Sequence, residues 1–187
     1  GLAACEWNEL DVVVGGLGLG YTAVAALEVS AVKSLMVIDV MEPVINWHKK
    51  GLVPLGKTLI ADPRCSLILE NFFEIATAES GFDRADPAKL FHAVLLDIDH
   101  SPSHWLNSQN RAFYSERGLQ KLSDKLYPGG IFALWSNDPP DADFTELLDS
   151  VFLSSEFHII SFPNPYMGGE SSCTVYVAHK ASAIHNS

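Results

Sequence analysis

The chain has 187 residues, of which 48% are hydrophobic and 19% are charged, a composition that excludes an intrinsically disordered protein. It carries 12 basic and 23 acidic residues, and the resulting net charge of −11 disfavours nucleic acid as a partner. Its apolar stretches are too short to cross a bilayer, and its three cysteines form no CxxC pair, so we expect no membrane contact and a reducing cytoplasm.

The pattern of apolar runs predicts strands and helices that alternate along the chain. Short apolar runs typical of strands buried on both faces lie at residues 10–16, 34–39, 66–69, 93–97 and 131–135. Helices are predicted at residues 21–29, 42–50, 111–126 and 143–152. Pro128-Gly129-Gly130 predicts a turn before the fifth strand, and residues 157–162 and 173–178 predict a terminal antiparallel hairpin.

This alternation indicates an α/β fold with a mostly parallel sheet and helices on both of its faces. Such sheets bind ligands outside the carboxyl ends of their strands. The residues that directly follow each strand are therefore the candidate functional residues.

A glycine-rich loop follows the first strand, and its candidate ligand-binding residues are Gly15, Gly16, Leu17, Gly18 and Gly20. Glycines let the backbone turn sharply and let a ligand approach main-chain amides. A dinucleotide fingerprint starting at the second glycine would need Gly or Ala at position 21, where the chain has Tyr21. The GxGxG spacing suits an adenosyl sulfonium ligand instead, although a tight turn without a ligand also fits.

Polar side chains follow the second and third strands. Asp39 comes 19 residues after Gly20, where a carboxylate can accept hydrogen bonds from both hydroxyls of a ribose, and Val40 can cover an adenine face. The alternative for Asp39 is a helix cap. After the third strand, Asn71 could bond the adenine amino group while Phe72 packs beside the ring. An ordinary loop with a buried aromatic residue fits this second position equally well.

The fourth strand is followed by candidate catalytic residues Asp97, Asp99 and His100. If the extended backbone persists, Asp97 and Asp99 point to the same side, where clustered carboxylates would favour an amine substrate and accept its proton. His100 is a further candidate because an imidazole can both donate and accept a proton. A turn rich in Asp and Ser is the plain structural alternative.

Two metal-dependent alternatives also involve this fourth-strand segment. Asp97-Ile98-Asp99 is similar to the DxD motif of Mg²⁺-dependent aspartyl-phosphate phosphatases, but those enzymes have it on their first strand. Asp97, Asp99, His100 and His104 are chemically suitable metal ligands, but no second cluster accompanies them. We therefore expect no metal.

These four motifs, in this order, resemble the spermidine synthase family over residues 11–152. Three further phrases support the likeness, namely Asp62-Pro63-Arg64, Phe113-Tyr114 and Leu126-Tyr127-Pro128-Gly129-Gly130. The resemblance implies a Rossmann-like three-layer α/β/α sandwich of the class I methyltransferase type, with seven strands in the order 3-2-1-4-5-7-6 and strand 7 antiparallel. It implies a single domain over residues 1–187, without the family's N-terminal β-hairpin segment, and leaves a homodimer open.

The resemblance also implies roles for individual residues. Asp39 would bind the ribose, Asn71 would take the adenine position usually held by Asp, and Asp97 would be the catalytic acid/base. The co-substrate would be S-adenosylmethionine or its decarboxylated form, without a metal. The leading reaction would be aminopropyl transfer to a polyamine, in which an amine attacks the carbon next to the sulfonium and methylthioadenosine leaves.

The chain departs from the family pattern at two positions. The family has an Asp where Gly18 stands, and that Asp helps to hold the donor's ammonium group. The family's second strand-four Asp falls where this chain has His100, with Asp99 one residue earlier. Two alternatives therefore stay open, namely a methyltransferase acting on a small molecule and a non-catalytic nucleoside-binding module of the same fold.

Overall fold

The computed structural model describes residue 2 and residues 7–165 and 168–182. Seven strands form one sheet in the order β3-β2-β1-β4-β5-β7-β6. In chain order they are β1 Leu10–Gly15, β2 Val32–Asp39, β3 Cys65–Leu69, β4 Phe91–Leu96, β5 Leu126–Ser136, β6 Ser154–Pro163 and β7 Glu170–His179. The first five strands in chain order run parallel to one another, and β7 runs antiparallel to both β5 and β6. The predicted strand order and the reversed seventh strand are confirmed.

Helices cover both faces of the sheet. The α-helices among the described residues are α1 Tyr21–Leu27, α2 Glu42–Lys49, α3 Gly56–Ala61, α4 Phe72–Thr77, α5 Glu116–Ser123 and α6 Ala142–Val151, and a 3-10 helix spans Ser108–Ala112. α1, α2 and α3 contribute to one apolar core and α4, α5 and α6 to the other, because successive residues of each buried strand point to opposite faces. The predicted three-layer sandwich is therefore confirmed. Within the described part of the chain, no helix has the length and apolar content needed to span a membrane.

The helix predicted over residues 111–126 is shorter in the structure. α5 begins after Ser115, whose hydroxyl accepts a hydrogen bond from the N–H of Gly118 at 3.1 Å. Phe113 and Leu126 nevertheless lie in the core with the residues of α5 between them. The apolar spacing thus predicted which side chains are buried, but not where the helix begins and ends.

Pro128, Gly129 and Gly130 do not form the predicted turn before the fifth strand. They lie inside β5, whose pairing with β4 shifts register between Phe91 and Ala93. The shift lets the extra residues bulge without ending the strand. α3 and α4 were not predicted either, because each has only six residues and too few turns to display a helical period.

Candidate functional site

The carboxyl ends of β1, β2 and β4 are tied together by three hydrogen bonds. The N–H of Leu17 donates to Oδ2 of Asp39 at 2.9 Å. The N–H of Asp97 donates to the carbonyl of Gly15 at 2.8 Å. The hydroxyl of Thr22, in the first turn of α1, donates to Oδ2 of Asp97 at 2.7 Å. The glycine loop and the two predicted carboxylates therefore lie at one edge of the sheet.

The first two glycines of the loop are required by the packing around them. A Cβ added to Gly15 would lie 2.7 Å from a ring carbon of Phe72. A Cβ added to Gly16 would overlap the carbonyl oxygen of Asp97. These glycines let the loop contact the core and the end of β4, which places the loop beside Asp97.

Gly20 and Gly18 differ in what they face. Gly20 is the N-cap of α1, and a Cβ there would lie 2.7 Å from Leu59 in the core. Gly18 has a φ of +46°, and a Cβ there would meet no atom of the described residues within 4 Å. Gly18 is thus the glycine of this loop that faces open space, and it is the position where the family has an Asp.

Asp39 uses both carboxylate oxygens to shape the backbone around it. Oδ2 binds the glycine loop through Leu17, and Oδ1 accepts the N–H of Met41 at 2.7 Å. Met41, not Asp39, is the N-cap residue of α2. Each oxygen keeps a further lone pair for a ligand hydroxyl. Val40 and Met41 are 63% and 53% exposed, so apolar surface is free beside the carboxylate.

Asn71 and Phe72 occupy positions explained by helix formation and core packing. Oδ1 of Asn71 caps α4 by accepting the N–H of Phe73 at 3.0 Å, and its amide donates to Glu74 at 2.9 Å. The ring of Phe72 is 2% exposed and packs against Phe82. The expectation that Phe72 packs beside a bound ring does not agree with this placement. Asn71 keeps one amide hydrogen and one lone pair for a ligand.

Asp97 and Asp99 do not point to the same side, in contrast to the expectation from an extended backbone. The chain bends directly after β4, so that the Asp97 side chain is exposed while Asp99 is 3% exposed. Asp97 is therefore accessible to a substrate and Asp99 is not. The predicted catalytic role of Asp99 does not agree with its burial.

Asp99 instead holds the loop that connects β4 to α5. Its carboxylate accepts hydrogen bonds from the N–H of Leu106 at 2.7 Å, the amide of Asn110 at 3.0 Å and the hydroxyl of Tyr114 at 3.0 Å. Burial, together with the negative charge of Asp99, raises the pKa of Tyr114 well above its usual range. Tyr114 therefore stays protonated as a donor. The loop is fixed beside the edge formed by the carboxyl ends of β1, β2 and β4, here called the cleft.

His100 lies at the junction of the loops that follow β4 and β5. Its carbonyl accepts the N–H of Asn137 at 2.7 Å, and its side chain is exposed. Nearby, Nδ1 of His104 contacts both Oγ of Ser101 at 3.1 Å and Oδ2 of Asp138 at 2.8 Å. Both partners meet the same ring nitrogen, so this group is not a Ser-His-Asp triad, whose partners bind opposite nitrogens.

Asp138 adds a third carboxylate, after Asp39 and Asp97, to this edge of the sheet. A hydrogen bond from Ser101, and to a smaller extent one from His104, lowers the pKa of Asp138 below its usual value. Asp138 therefore carries its negative charge at neutral pH. Among the described residues, no three His, Cys, Asp or Glu side chains are grouped so that they could hold a metal ion. This edge of the sheet thus combines the exposed carboxylate of Asp97 with the half-buried carboxylates of Asp39 and Asp138 and the backbone of the glycine loop.

Several residues of the site carried no signal in the sequence. Asn110 and Asp138 lie within polar segments that are common in loops, and Thr22 is a single hydroxyl in the first turn of an alanine-rich helix. Tyr114 was noticed only as part of the phrase shared with the family. A search for polar residues after strand five would have found Asp138, because that strand end also borders the cleft.

No family model matches the chain. It is 27% identical over 159 residues to a polyamine aminopropyltransferase of Pyrobaculum islandicum, covering 84% of the chain and 51% of that relative. A spermidine synthase in complex with the transition-state analogue AdoDATO superposes with a TM-score of 0.67 at 20% identity, covering 97% of the chain and 56% of that protein. Human methyltransferase-like protein 13 in complex with SAH gives a TM-score of 0.63 at 14% identity, covering 95% of the chain and 74% of that protein.

The chain thus spans about half the length of this curated relative and of the spermidine synthase structure. The two structures share the class I methyltransferase fold with the chain, in agreement with the observed strand order. The sequence likeness points to the aminopropyltransferase branch of that fold. In sequence and in fold, the chain is spermidine synthase-like.

Proposed function

We propose that the chain is the donor-binding and catalytic domain of a transferase that moves an aminopropyl group from decarboxylated S-adenosylmethionine to a small-molecule amine. The exposed Asp97 carboxylate carries this proposal, because it lies at the same edge of the sheet as the glycine loop and Asp39. We further propose that the protein acts in the cytoplasm, without nucleic acid or a metal, and as a homodimer.

The residues present fit an adenosyl donor. Asp39 keeps lone pairs for the ribose hydroxyls, and the exposed side chains of Val40 and Met41 offer an apolar surface to an adenine ring. Asn71 lies at the end of the neighbouring strand with one amide hydrogen and one lone pair free. Main-chain atoms of residues 16–20 would line the sulfonium end. The donor supplies a carbon activated by the neighbouring sulfonium, and methylthioadenosine is its leaving group.

Asp97 would orient the acceptor amine and take its proton. Oδ2 of Asp97 is fixed by the hydroxyl of Thr22 at 2.7 Å, which leaves Oδ1 for the amine. As the nitrogen forms its bond to the activated carbon, the C–S electron pair goes to sulfur and one N–H proton goes to the carboxylate. The negative charge of Asp138 and the net charge of −11 attract a cationic acceptor.

Methyl transfer from S-adenosylmethionine is the second candidate, and Gly18 is the observation that favours it. A carboxylate at position 18 would offset the ammonium group of the decarboxylated donor, but Gly18 has no side chain and faces open space. Backbone amides at this position can instead bind the carboxylate of S-adenosylmethionine. The open space beside Gly18 can also accommodate that group.

One experiment separates these reactions. The purified protein is incubated with putrescine or spermidine and either donor, and the nucleoside products are measured by mass spectrometry. Methylthioadenosine released from the decarboxylated donor, at a rate that depends on the amine, supports aminopropyl transfer. Exclusive release of S-adenosylhomocysteine from S-adenosylmethionine would favour methyl transfer. With neither product, a ligand-induced rise in melting temperature would identify a binding module.

A further inference from the structure

A buried histidine lies directly beneath the glycine loop. His48, in α2, is fully buried, and its Nε2 lies 3.0 Å from the carbonyl oxygen of Gly18. A carbonyl oxygen can only accept a hydrogen bond, so Nε2 must carry the proton. The other ring nitrogen, Nδ1, is buried and has no hydrogen-bond partner among the described residues.

The packing around His48 leaves room for this imidazole and little else. A Cβ at Gly20 would lie 3.0 Å from Cε1 of the ring, and a Cβ at Gly56 would lie 2.8 Å from the His48 carbonyl oxygen. The ring is thus packed against the glycine loop, while the backbone of His48 is packed against the start of α3. An apolar side chain of similar size would avoid burying an unpaired nitrogen, so packing alone does not explain an imidazole here.

The contact with Gly18 determines which way the next amide points. The peptide between Gly18 and Leu19 is trans, so its C=O and N–H point in opposite directions. Because His48 binds the C=O on the buried side, the N–H of Leu19 points to the solvent side, where the Leu19 residue is 52% exposed. No described residue accepts a hydrogen bond from this N–H.

We propose that His48 is a positioning residue that fixes the Gly18–Leu19 peptide, so that the N–H of Leu19 is presented to a carboxylate of the bound nucleoside. This inference rests on the proposed function, because it assumes that an adenosyl ligand lies along the loop. Decarboxylated S-adenosylmethionine has no carboxylate for this N–H, so the contact would favour the second candidate reaction, methyl transfer from S-adenosylmethionine. His48 does not contact the ligand and acts through the peptide.

Two substitutions separate the role of His48 Nε2 as a hydrogen-bond donor from the contribution of its ring to packing. Counted from Cβ, the amide nitrogen of Gln takes the place of Nε2, whereas that of Asn takes the place of Nδ1. We expect His48→Asn to weaken binding of S-adenosylhomocysteine about tenfold, but binding of methylthioadenosine, which has no carboxylate, less than about twofold. His48→Gln should restore the affinity for S-adenosylhomocysteine to within about threefold of the unmodified protein. Both affinities are measured by calorimetry.

Equal losses for the two ligands, or equal affinities of the Gln and Asn variants, would overturn the proposal. A second measurement needs no ligand, because the ¹⁵N shifts of the His48 ring report its tautomer. We expect protonation at Nε2, and protonation at Nδ1 would overturn the inference whatever the ligands do. If the unmodified protein binds neither nucleoside, the proposed function fails, and the tautomer still decides the contact between His48 and Gly18.

Discussion

Asp97 and Asp99 are two residues apart in the chain, yet the first is exposed to the cleft and the second is 3% exposed beneath the loop that follows β4. Asp97 has one side-chain partner, the hydroxyl of Thr22, whereas Asp99 accepts hydrogen bonds from Leu106, Asn110 and Tyr114. The bend after β4 thus separates a carboxylate available for chemistry from one that holds the structure. Substitution of each should give a different phenotype.

We expect Asp97→Asn to lower turnover by about a hundredfold or more, because the acceptor amine loses its proton acceptor. Donor affinity should change by less than about twofold, since Asp97 acts after the donor has bound. Turnover is measured as methylthioadenosine release, and donor affinity by calorimetry. Retained turnover, or a joint loss of turnover and folded structure, would show that the role assigned to Asp97 is wrong.

Asp99→Asn should instead destabilise the fold. The new amide would place N–H groups against the donors of Asn110 and Tyr114, at a cost of about 2–3 kcal/mol for buried polar groups. The melting temperature should fall by roughly 5–10 °C in a domain of this size. Asp97→Asn is the matched control, and its melting temperature should stay within about 2 °C of the unmodified protein. An unchanged melting temperature in the Asp99→Asn variant would contradict the structural role of Asp99.

Asp39→Ala should weaken the binding of methylthioadenosine by about 2 kcal/mol, or roughly thirtyfold, because a charged acceptor for the ribose is lost. The comparison includes Asp39→Asn, which keeps an acceptor oxygen for the N–H of Met41 or Leu17. A smaller loss in this variant would indicate that part of the effect comes from the shape of the loop. If calorimetry gives the same affinity for Asp39→Ala and the unmodified protein, the ribose does not bind there.

The donor preference should depend on position 18. We expect the unmodified protein to prefer decarboxylated S-adenosylmethionine over S-adenosylmethionine by less than about a hundredfold, or roughly 2.7 kcal/mol. Gly18→Asp should move this ratio at least about tenfold towards the decarboxylated donor, since the new carboxylate meets its ammonium group. The space at Gly18 is open, and Asp tolerates its φ of +46° better than most residues.

Gly18→Asn is the matched control for that experiment, because it has the same shape without the charge. Competition binding measures the ratio of the affinities for the two donors in each variant. A strong preference for the decarboxylated donor in the unmodified protein would mean that another group replaces the missing Asp. Polyamine synthesis would then be favoured over methyl transfer.

Part of the pH dependence of the free energy of unfolding should be traceable to His92. This residue lies near the start of β4, far from the cleft. Burial lowers the pKa of His92, although the negative charge of Asp11 acts to raise it, and Nδ1 accepts the N–H of Asp11 at 3.0 Å. A lowered pKa in the folded state contributes stability above the unfolded value, about 6.5, that is lost as the pH falls through the folded value. His92→Gln should therefore flatten the free energy of unfolding between about pH 6.5 and 5, measured with urea. An unchanged slope would contradict the assignment.

The sequence was a good guide to the sheet because the central strands β1 and β4 are short apolar runs that are mostly buried. Leu10–Gly15 and Phe91–Leu96 stand out in this way, and the loops after them contain the glycines and Asp97. The family resemblance added the order of the last strands. Element ends were less predictable. α5 begins at Glu116, five residues after the predicted start at residue 111, because the capping hydroxyl of Ser115 outweighed the apolar spacing.

The site was harder to predict because it depends on the direction in which each side chain points, and this direction does not follow from the spacing of residues in the sequence. Asp97 and Asp99 have the same side-chain chemistry, and only the bend after β4 separates their roles. Phe72 was expected in the cleft, but its ring packs in the core against Gly15. His48 has no signature in the sequence, since a single histidine in a helix becomes distinctive only through its contact with the loop above it.

The unequal surroundings of the loop glycines have a consequence for how this fold can change its ligand. Gly15, Gly16 and Gly20 each face atoms that would have to move if a side chain were added, so substitutions there would disturb the whole sheet. Gly18 has no such neighbour. Tolerance of Asp or Asn, which adopt the φ of +46° at Gly18 more readily than other side chains do, is therefore concentrated at the position that borders the cleft. A loop of this kind can acquire a new charge in one step without losing the fold, which makes selectivity and stability separately evolvable.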